Sequence, residues 1–214
     1  MTGLRERKKQ RTRDSLIRVS HELFVDKGYD ETTVDEIADA VDVSQRTFFR
    51  YFASKEAVAF ALQDEVESQF IDAVADRPAD EAPLRALRSA LDANWSRIGD
   101  AIQEVVPISV HMRLSQVIET TPSLLAVQMR RASETEDRLV TVLATREGLD
   151  PREDPRPRVL VALFAGVMRA AGRQWSAGDD ITVESQRRAV EQCMDLMGPV
   201  LSDDWSARPS RTES

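Results

Sequence analysis

This sequence predicts an all-α fold, with a small N-terminal unit of three helices containing a helix-turn-helix and a larger helical unit after it. Three observations lead there. Residues 33–52 hold two helix-start signals with a short turn between them, apolar residues recur at three- and four-residue spacing along most of the chain, and alternating strand patterns are nearly absent. The predicted units are residues 1–53 and 54–205, with 206–214 as a disordered tail.

The first helix is expected over about residues 10–27, with Leu16, Val19, Leu23 and Phe24 facing inward and Gly28 supplying a left-handed cap. Thr33 and Glu36 form a capping box for the second, whose apolar positions are Ile37, Ala38 and Val41. Asp42 is the candidate for the left-handed residue of the turn, because Asp tolerates that conformation better than most residues other than Gly. Ser44 then caps a third helix by accepting from the backbone N–H of Arg46 or Thr47. At about 100° per residue, Phe48 and Phe52 fall on one side of it and Arg46, Thr47 and Arg50 roughly opposite. One side packs and the other reads. An isolated pair of arginines is normally a solvated surface charge, but a position on the second helix behind a tight turn favours the DNA-reading role.

Ser54 is positioned to cap one long helix through Val58, Leu62, Val66, Phe70 and Val74, and Arg77 to Pro83 reads as a loop. Leu84, Leu87, Leu91, Trp95 and Ile98 mark the next helix; residues 101–120 are helical with an interruption at Pro107. Thr121 and Pro122 open another, marked by Leu125, Met129, Leu139, Val142 and Leu143, before a linker over residues 148–157. Two stripes follow: Leu160, Leu163, Phe164, Val167, Met168 and Ala171, then Val190, Cys193, Met194, Met197, Val200 and Leu201, with Thr182 as the cap between them. By pattern alone these suit an intrachain core as well as a four-helix bundle between two copies.

Composition narrows the function. The net charge of −8 is unevenly spread: residues 1–13 carry six basic residues and one acid, whereas residues 56–214 carry 18 basic and 27 acidic. A basic arm beside a reading helix attracts phosphate, and the acidic bulk keeps the second unit off DNA. The arm alternatively reads as a solvated tail, and both hold if it orders on DNA. No apolar stretch reaches membrane length and no secretory signal appears, so the expected location is cytoplasmic. Cys193 is the single cysteine, which excludes an internal disulfide and a cysteine-cluster zinc site. His21 and His111 lie in different predicted units, with no phosphate loop, nucleophile triad or metal-ligand spacing, so an enzyme, a cofactor and a metal are not expected.

Phe24 through Tyr29, Thr32-Thr33-Val34, Ile37-Ala38, Val43-Ser44, Thr47-Phe48-Phe49, Tyr51-Phe52 and Ser54-Lys55-Glu56 resemble the N-terminal DNA-binding domain of the tetracycline-repressor (TetR) family. The resemblance implies phosphate contacts from Thr33, Tyr51 and Lys55 and base or near-base contacts from Gln45, Arg46 and Thr47. With Ser44, Arg50 and Arg11 these make up the candidate DNA-binding set. The family usually has Ala at Val41, Gly at Asp42, a small residue at Arg46 and Tyr at Phe49. Phe49 lacks the hydroxyl that reaches a phosphate there, while Arg46 adds a guanidinium suited to guanine.

The same resemblance implies a double-stranded operator as partner, a homodimer through residues 157–201, and repression relieved when a small apolar or amphipathic ligand enters the C-terminal unit. That ligand would move the 54–75 helix and spoil the spacing of the two reading helices. Candidate lining residues are Trp95, Ile102, Val105, His111, Met112, Met129, Phe164 and Met168, which ordinary core packing explains at least as well. Arg77-Pro-Ala-Asp-Glu-Ala-Pro83-Leu84 and Thr47-Phe-Phe-Arg-Tyr-Phe52 also resemble the mycofactocin-type subgroup, which implies acyl-CoA ligands and a phosphate-facing cluster of Arg113, Arg130, Arg131 and Arg169. The alternative is a ligand-independent architectural DNA-binding protein, which a small specificity ratio on random DNA would reveal.

Overall fold

The computed structural model describes residues 3–198, with the side chains of residues 96–98 excepted. Ile98's side chain, Val200, Leu201 and the 206–214 segment therefore lie outside the described residues. Ten α-helices make up the described chain: α1 (Leu4–Asp26), α2 (Val34–Ala40), α3 (Gln45–Tyr51), α4 (Lys55–Ala59), α5 (Ala61–Ala75), α6 (Pro83–Val105), α7 (Ile108–Thr120), α8 (Pro122–Glu147), α9 (Arg156–Ser176) and α10 (Val183–Asp195). Among the described residues no helix is long and apolar enough to cross a membrane.

Local chemistry sets most helix ends. Gly28 follows α1 at φ 97° and Gly148 follows α8 at φ 64°, both left-handed. Leu149 N–H donates to the Ala144 carbonyl at 2.9 Å and Gly148 N–H to Thr145 at 3.3 Å, closing α8 in the 6→1 and 5→2 pattern of a Schellman turn. Asp42 is the one non-glycine residue with positive φ among the described residues, at 55°. Thr33 with Glu36 and Thr182 with Ser185 form full capping boxes. Thr121 sits at the start of α8 but its hydroxyl makes no capping bond, so Pro122 at the first helical position sets that boundary.

Three features depart from expectation. First, α1 begins at Leu4, so the basic arm is helix rather than tail; residues 4–13 contain neither Gly nor Pro and are mostly good helix formers, and Gln10 donates to Asp14 at 2.8 Å one turn on. Its buried face is Leu16, Ile17, Ser20, His21 and Phe24, with Ile17 rather than Val19 in the core. Second, the 54–75 helix breaks at Phe60. The ring of Phe60 is fully buried with the Arg131 guanidinium 5.1 Å above it, and Arg131 grips Asp64 with two donors, so α8 holds the chain at the point where α4 ends and α5 begins. Third, the α9 and α10 stripes divide. Phe164, Ala171, Val190 and Met194 face the chain's own core with Trp175, whose indole N–H donates to Ser185 at 3.0 Å, while Val159, Ala162, Leu163 and Ala170 face outward. Pro157 belongs to the first turn of α9, ending the linker earlier than its composition suggests.

The core has two parts. One gathers Leu16, Phe24, Ile37, Phe48, Phe52, Val58 and Phe60 and continues into Ile102, Leu114, Ile118 and Leu124 of α6–α8, so the reading unit rests on the larger one through shared apolar packing. The other joins α5, α6 and α8–α10 around Phe70, Leu87, Leu143, Phe164 and Trp175. Arg146 of α8 donates to the carbonyls of Arg77 at 2.5 Å, Pro78 at 2.9 Å and Glu81 at 3.3 Å, which ties down the α5–α6 loop.

Candidate nucleic-acid interface

The reading helix α3 is held from behind. Phe48 is fully buried and Phe52 nearly so, with ring centroids 5.9 Å apart, while the Arg13 guanidinium lies 5.8 Å from the Phe52 ring and so fixes α1 across the end of α3. In front, Ser44 accepts from the Thr47 N–H at 3.2 Å, and the two hydroxyls lie 3.0 Å apart. Gln45, Arg46 and Arg50 are exposed; no protein hydrogen bond or ion pair engages Gln45 or Arg46 among the described residues, and Arg50 only leans over Tyr51 at 5.3 Å. These exposed polar side chains, behind a turn fixed by Asp42, have the layout of a groove-reading surface.

The other candidates are more committed. Thr33 donates its hydroxyl to Glu36 at 3.0 Å, and Lys27 also binds that carboxylate, so Glu36 is held down at a pKa of about 2, chiefly by Lys27 and then by the Thr33 backbone and hydroxyl. Lys55 donates to the carbonyls of Tyr29 at 2.7 Å and Thr32 at 2.9 Å, with the Tyr29 ring 4.1 Å away. Two of its three N–H groups thus tether the α1–α2 loop, a role that spacing alone did not reveal. Burial and the neighbouring Glu56 push the Tyr29 phenol well above its usual range, so it stays neutral. Replacing Lys55 with alanine is expected to lower unfolding free energy by about 1–3 kcal/mol in urea melts, since part-buried carbonyls lose their donor. Binding should weaken on every sequence, and a salt slope reduced by about one would mark a phosphate contact in addition to the tether.

Arg11 is exposed on the part of α1 that precedes its first buried residue, Leu16. With Arg5, Arg7, Lys8 and Lys9 it forms a cationic rod in place of a loose arm. At 1.5 Å per residue the basic segment from Leu4 to Arg13 is about 15 Å long, enough to lie along two or three phosphates.

The predicted ligand-lining residues do not converge. Trp95, Met112, Phe164 and Met168 belong to one core cluster, where Phe164 stacks on Phe70 at 5.7 Å, whereas Ile102 and Val105 belong to the other. Met129 is 60% exposed, so it faces solvent and lines no interior. An open groove of about 460 Å³ lies among Arg13, Tyr51, Phe52, Ala57, Asp64 and Glu65, and another of about 320 Å³ among Arg88, Leu91, Val190 and Met194; none of the eight residues lines either. Of the four arginines, Arg131 is bound to Asp64 and Arg169 to Glu136 at 2.6 Å, so two of the four charges are already paired within the chain.

His111 meets His21 instead, with ring centroids 6.2 Å apart where α7 packs on α1. His21 Nε2 donates to the Val58 carbonyl at 3.3 Å, and the Nδ1 atoms of both rings are buried without a partner. Burial, with the His111 ring second, depresses His21 to a pKa of about 3; burial depresses His111 to about 4. Both rings are therefore neutral at neutral pH.

Residues 16–62 match the model for bacterial regulatory proteins of the tetR family, and residues 81–201 match the MftR C-terminal domain. The HTH-type transcriptional regulator TcmR of Streptomyces glaucescens is 45% identical over 203 residues, which cover 95% of this chain and 90% of the relative. MftR of Mycobacterium tuberculosis, named for regulation of mycofactocin biosynthesis, is 27% identical over 194 residues, 90% of this chain and 92% of its own. Among solved structures, the SmeT–triclosan complex shares the fold at a TM-score of 0.61 and 13% identity, covering 95% of this chain and 97% of that one.

Proposed function

We propose that this chain, which belongs to the tetR family of bacterial regulatory proteins, is a homodimeric transcriptional repressor released from its operator by a small molecule bound in the C-terminal domain. It is a regulator and not an enzyme, in keeping with relatives that are themselves transcriptional regulators. The observation that carries the reading is the exposed set Gln45, Arg46 and Arg50, with no hydrogen bond or ion pair on Gln45 or Arg46 among the described residues and Arg50 resting only on the Tyr51 ring, on a helix locked in place by Phe48 and the Asp42 turn. Arg46 suits a bidentate contact to guanine, Gln45 a contact to adenine and Thr47 a near-base contact, while Thr33, Tyr51 and Lys55 suit phosphate contacts, with Ser44, Arg50 and Arg11 completing the set.

One contact supports a route for release. Arg131 joins α8 to Asp64 and to Phe60, so a ligand that shifts α8 shifts the start of α5 and with it α4 and the reading unit. The ligand is small and apolar or amphipathic; an acyl-CoA would need its phosphates to displace Asp64 from Arg131 or Glu136 from Arg169.

Arg46→Ala is expected to cost about 1–3 kcal/mol on the operator and to relax base preference at one position per half-site. Footprinting on the DNA upstream of the coding region, followed by titration on that site and on scrambled duplex, measures both. Equal losses on the two duplexes would refute base reading by Arg46, and a small specificity ratio for the unaltered protein would point to an architectural DNA-binding role instead.

A further inference from the structure

We infer that Phe49 reads the 5-methyl group of a thymine in the operator, adding an apolar specificity contact to the polar ones on α3. This rests on the operator-binding reading above. Phe49 is 49% exposed, the large hydrophobic residue left open on α3, although Phe48 beside it is fully buried. The two rings meet edge to face at 5.4 Å and 88°, so the buried ring backs the exposed one and limits where it can turn. Phe49 follows Gln45 by four residues and Arg46 by three, which places it beside both on the same side of the helix.

A benzyl group neither donates nor accepts a hydrogen bond. The major-groove edges of guanine, cytosine and adenine offer donors and acceptors that would lose water against it without a new partner. Thymine alone presents a methyl group there, and burying that methyl against the ring removes apolar surface of both partners from water. Three residues of helix advance about 4.5 Å, close to one base step, so the thymine lies within a step or two of the base taken by Arg46.

The test begins with selection of bound duplexes from a random pool, using the full chain. Each thymine of the selected site is then replaced by deoxyuridine, which keeps the pairing and removes only the methyl. The unaltered protein is expected to lose about fourfold in affinity at one thymine per half-site, the worth of about one buried carbon. Phe49→Ala, checked for an unchanged melting curve, should be indifferent to the same replacement and should select sites without that thymine. An enriched site at which no thymine responds to deoxyuridine would overturn the role of Phe49, as would a Phe49→Ala protein that responds as fully as the parent. A pool with no enrichment at all would instead sink the operator-binding reading.

Discussion

Leu163→Arg is expected to make the protein monomeric and to lower operator affinity by about 10²–10⁴-fold, because one recognition helix then binds without the effective concentration supplied by its twin. The argument starts on α9. Its inner face is spent on Val161, Phe164, Ala171 and Trp175, yet Val159 is 55% and Leu163 40% exposed, with Ala162 and Ala170 open beside them. Leu196, just past α10, is exposed as well. Small residues among larger apolar ones let two such helices approach closely, and α9 and α10 of two copies would close a four-helix bundle over this stripe. The pairing matters because two reading helices engage successive grooves only when held about 34–36 Å apart. An arginine at 163 is solvated in the monomer but unpaired in the bundle, so association is lost while the fold is kept. Sedimentation and circular dichroism separate those two effects. A dimer that survives the substitution, or a monomer that binds the operator as tightly, would refute this interface.

What the chain discloses by itself depends on how far apart the interacting residues lie. The Thr33 and Ser44 caps, the Asp42 turn and the inward Phe48–Phe52 side rest on contacts within about four residues, and all are present as read. The break at Phe60 is different in kind. Val58, Leu62, Val66 and Phe70 keep helical spacing straight through it, and the contacts made at the break, from Arg131 to Phe60 and Asp64, come from another helix. On α9 the apolar residues outnumber what one face can hold, so periodicity could not say that Phe164 faces inward and Leu163 outward. Met129 shows the same limit, an apolar residue at a plausible position that turns to solvent. Lys55 shows a further one: the motif marks it as a phosphate partner, yet its first duty is to two carbonyls of a loop more than twenty residues earlier. The histidines, ninety residues apart, could only be joined by the fold.

That junction predicts an acid-sensitive stability. Both folded-state pKa values, about 3 for His21 and about 4 for His111, lie below the ordinary histidine value of 6.5, since burial at the α1–α7 contact, complete for His21 and partial for His111, disfavours the charged rings. An unfolded chain therefore takes up two protons as pH falls through about 6.5, whereas the folded chain takes up neither until pH nears 4. Stability is fully present above pH 6.5 and drains away below it, by on the order of 2 kcal/mol per ring at pH 5, a large share of what holds a domain of this size together. These are the two histidines of the sequence, and the carboxylates held low, Glu36 by Lys27, Glu56 by Ser54, Glu81 by Arg77 and Asp154 by Arg156, act below pH 4.5, so the window between is theirs. The Val58 and Ala59 carbonyls favour the charged form of His21 but do not offset its burial and the facing His111 ring. Urea melts from pH 7.5 to 4.5 should show the decline, His111→Phe should roughly halve its slope, and the double replacement of His21 and His111 by phenylalanine should flatten it. A slope that survives the double replacement would mean that the α1–α7 joint is not where the chain feels acid.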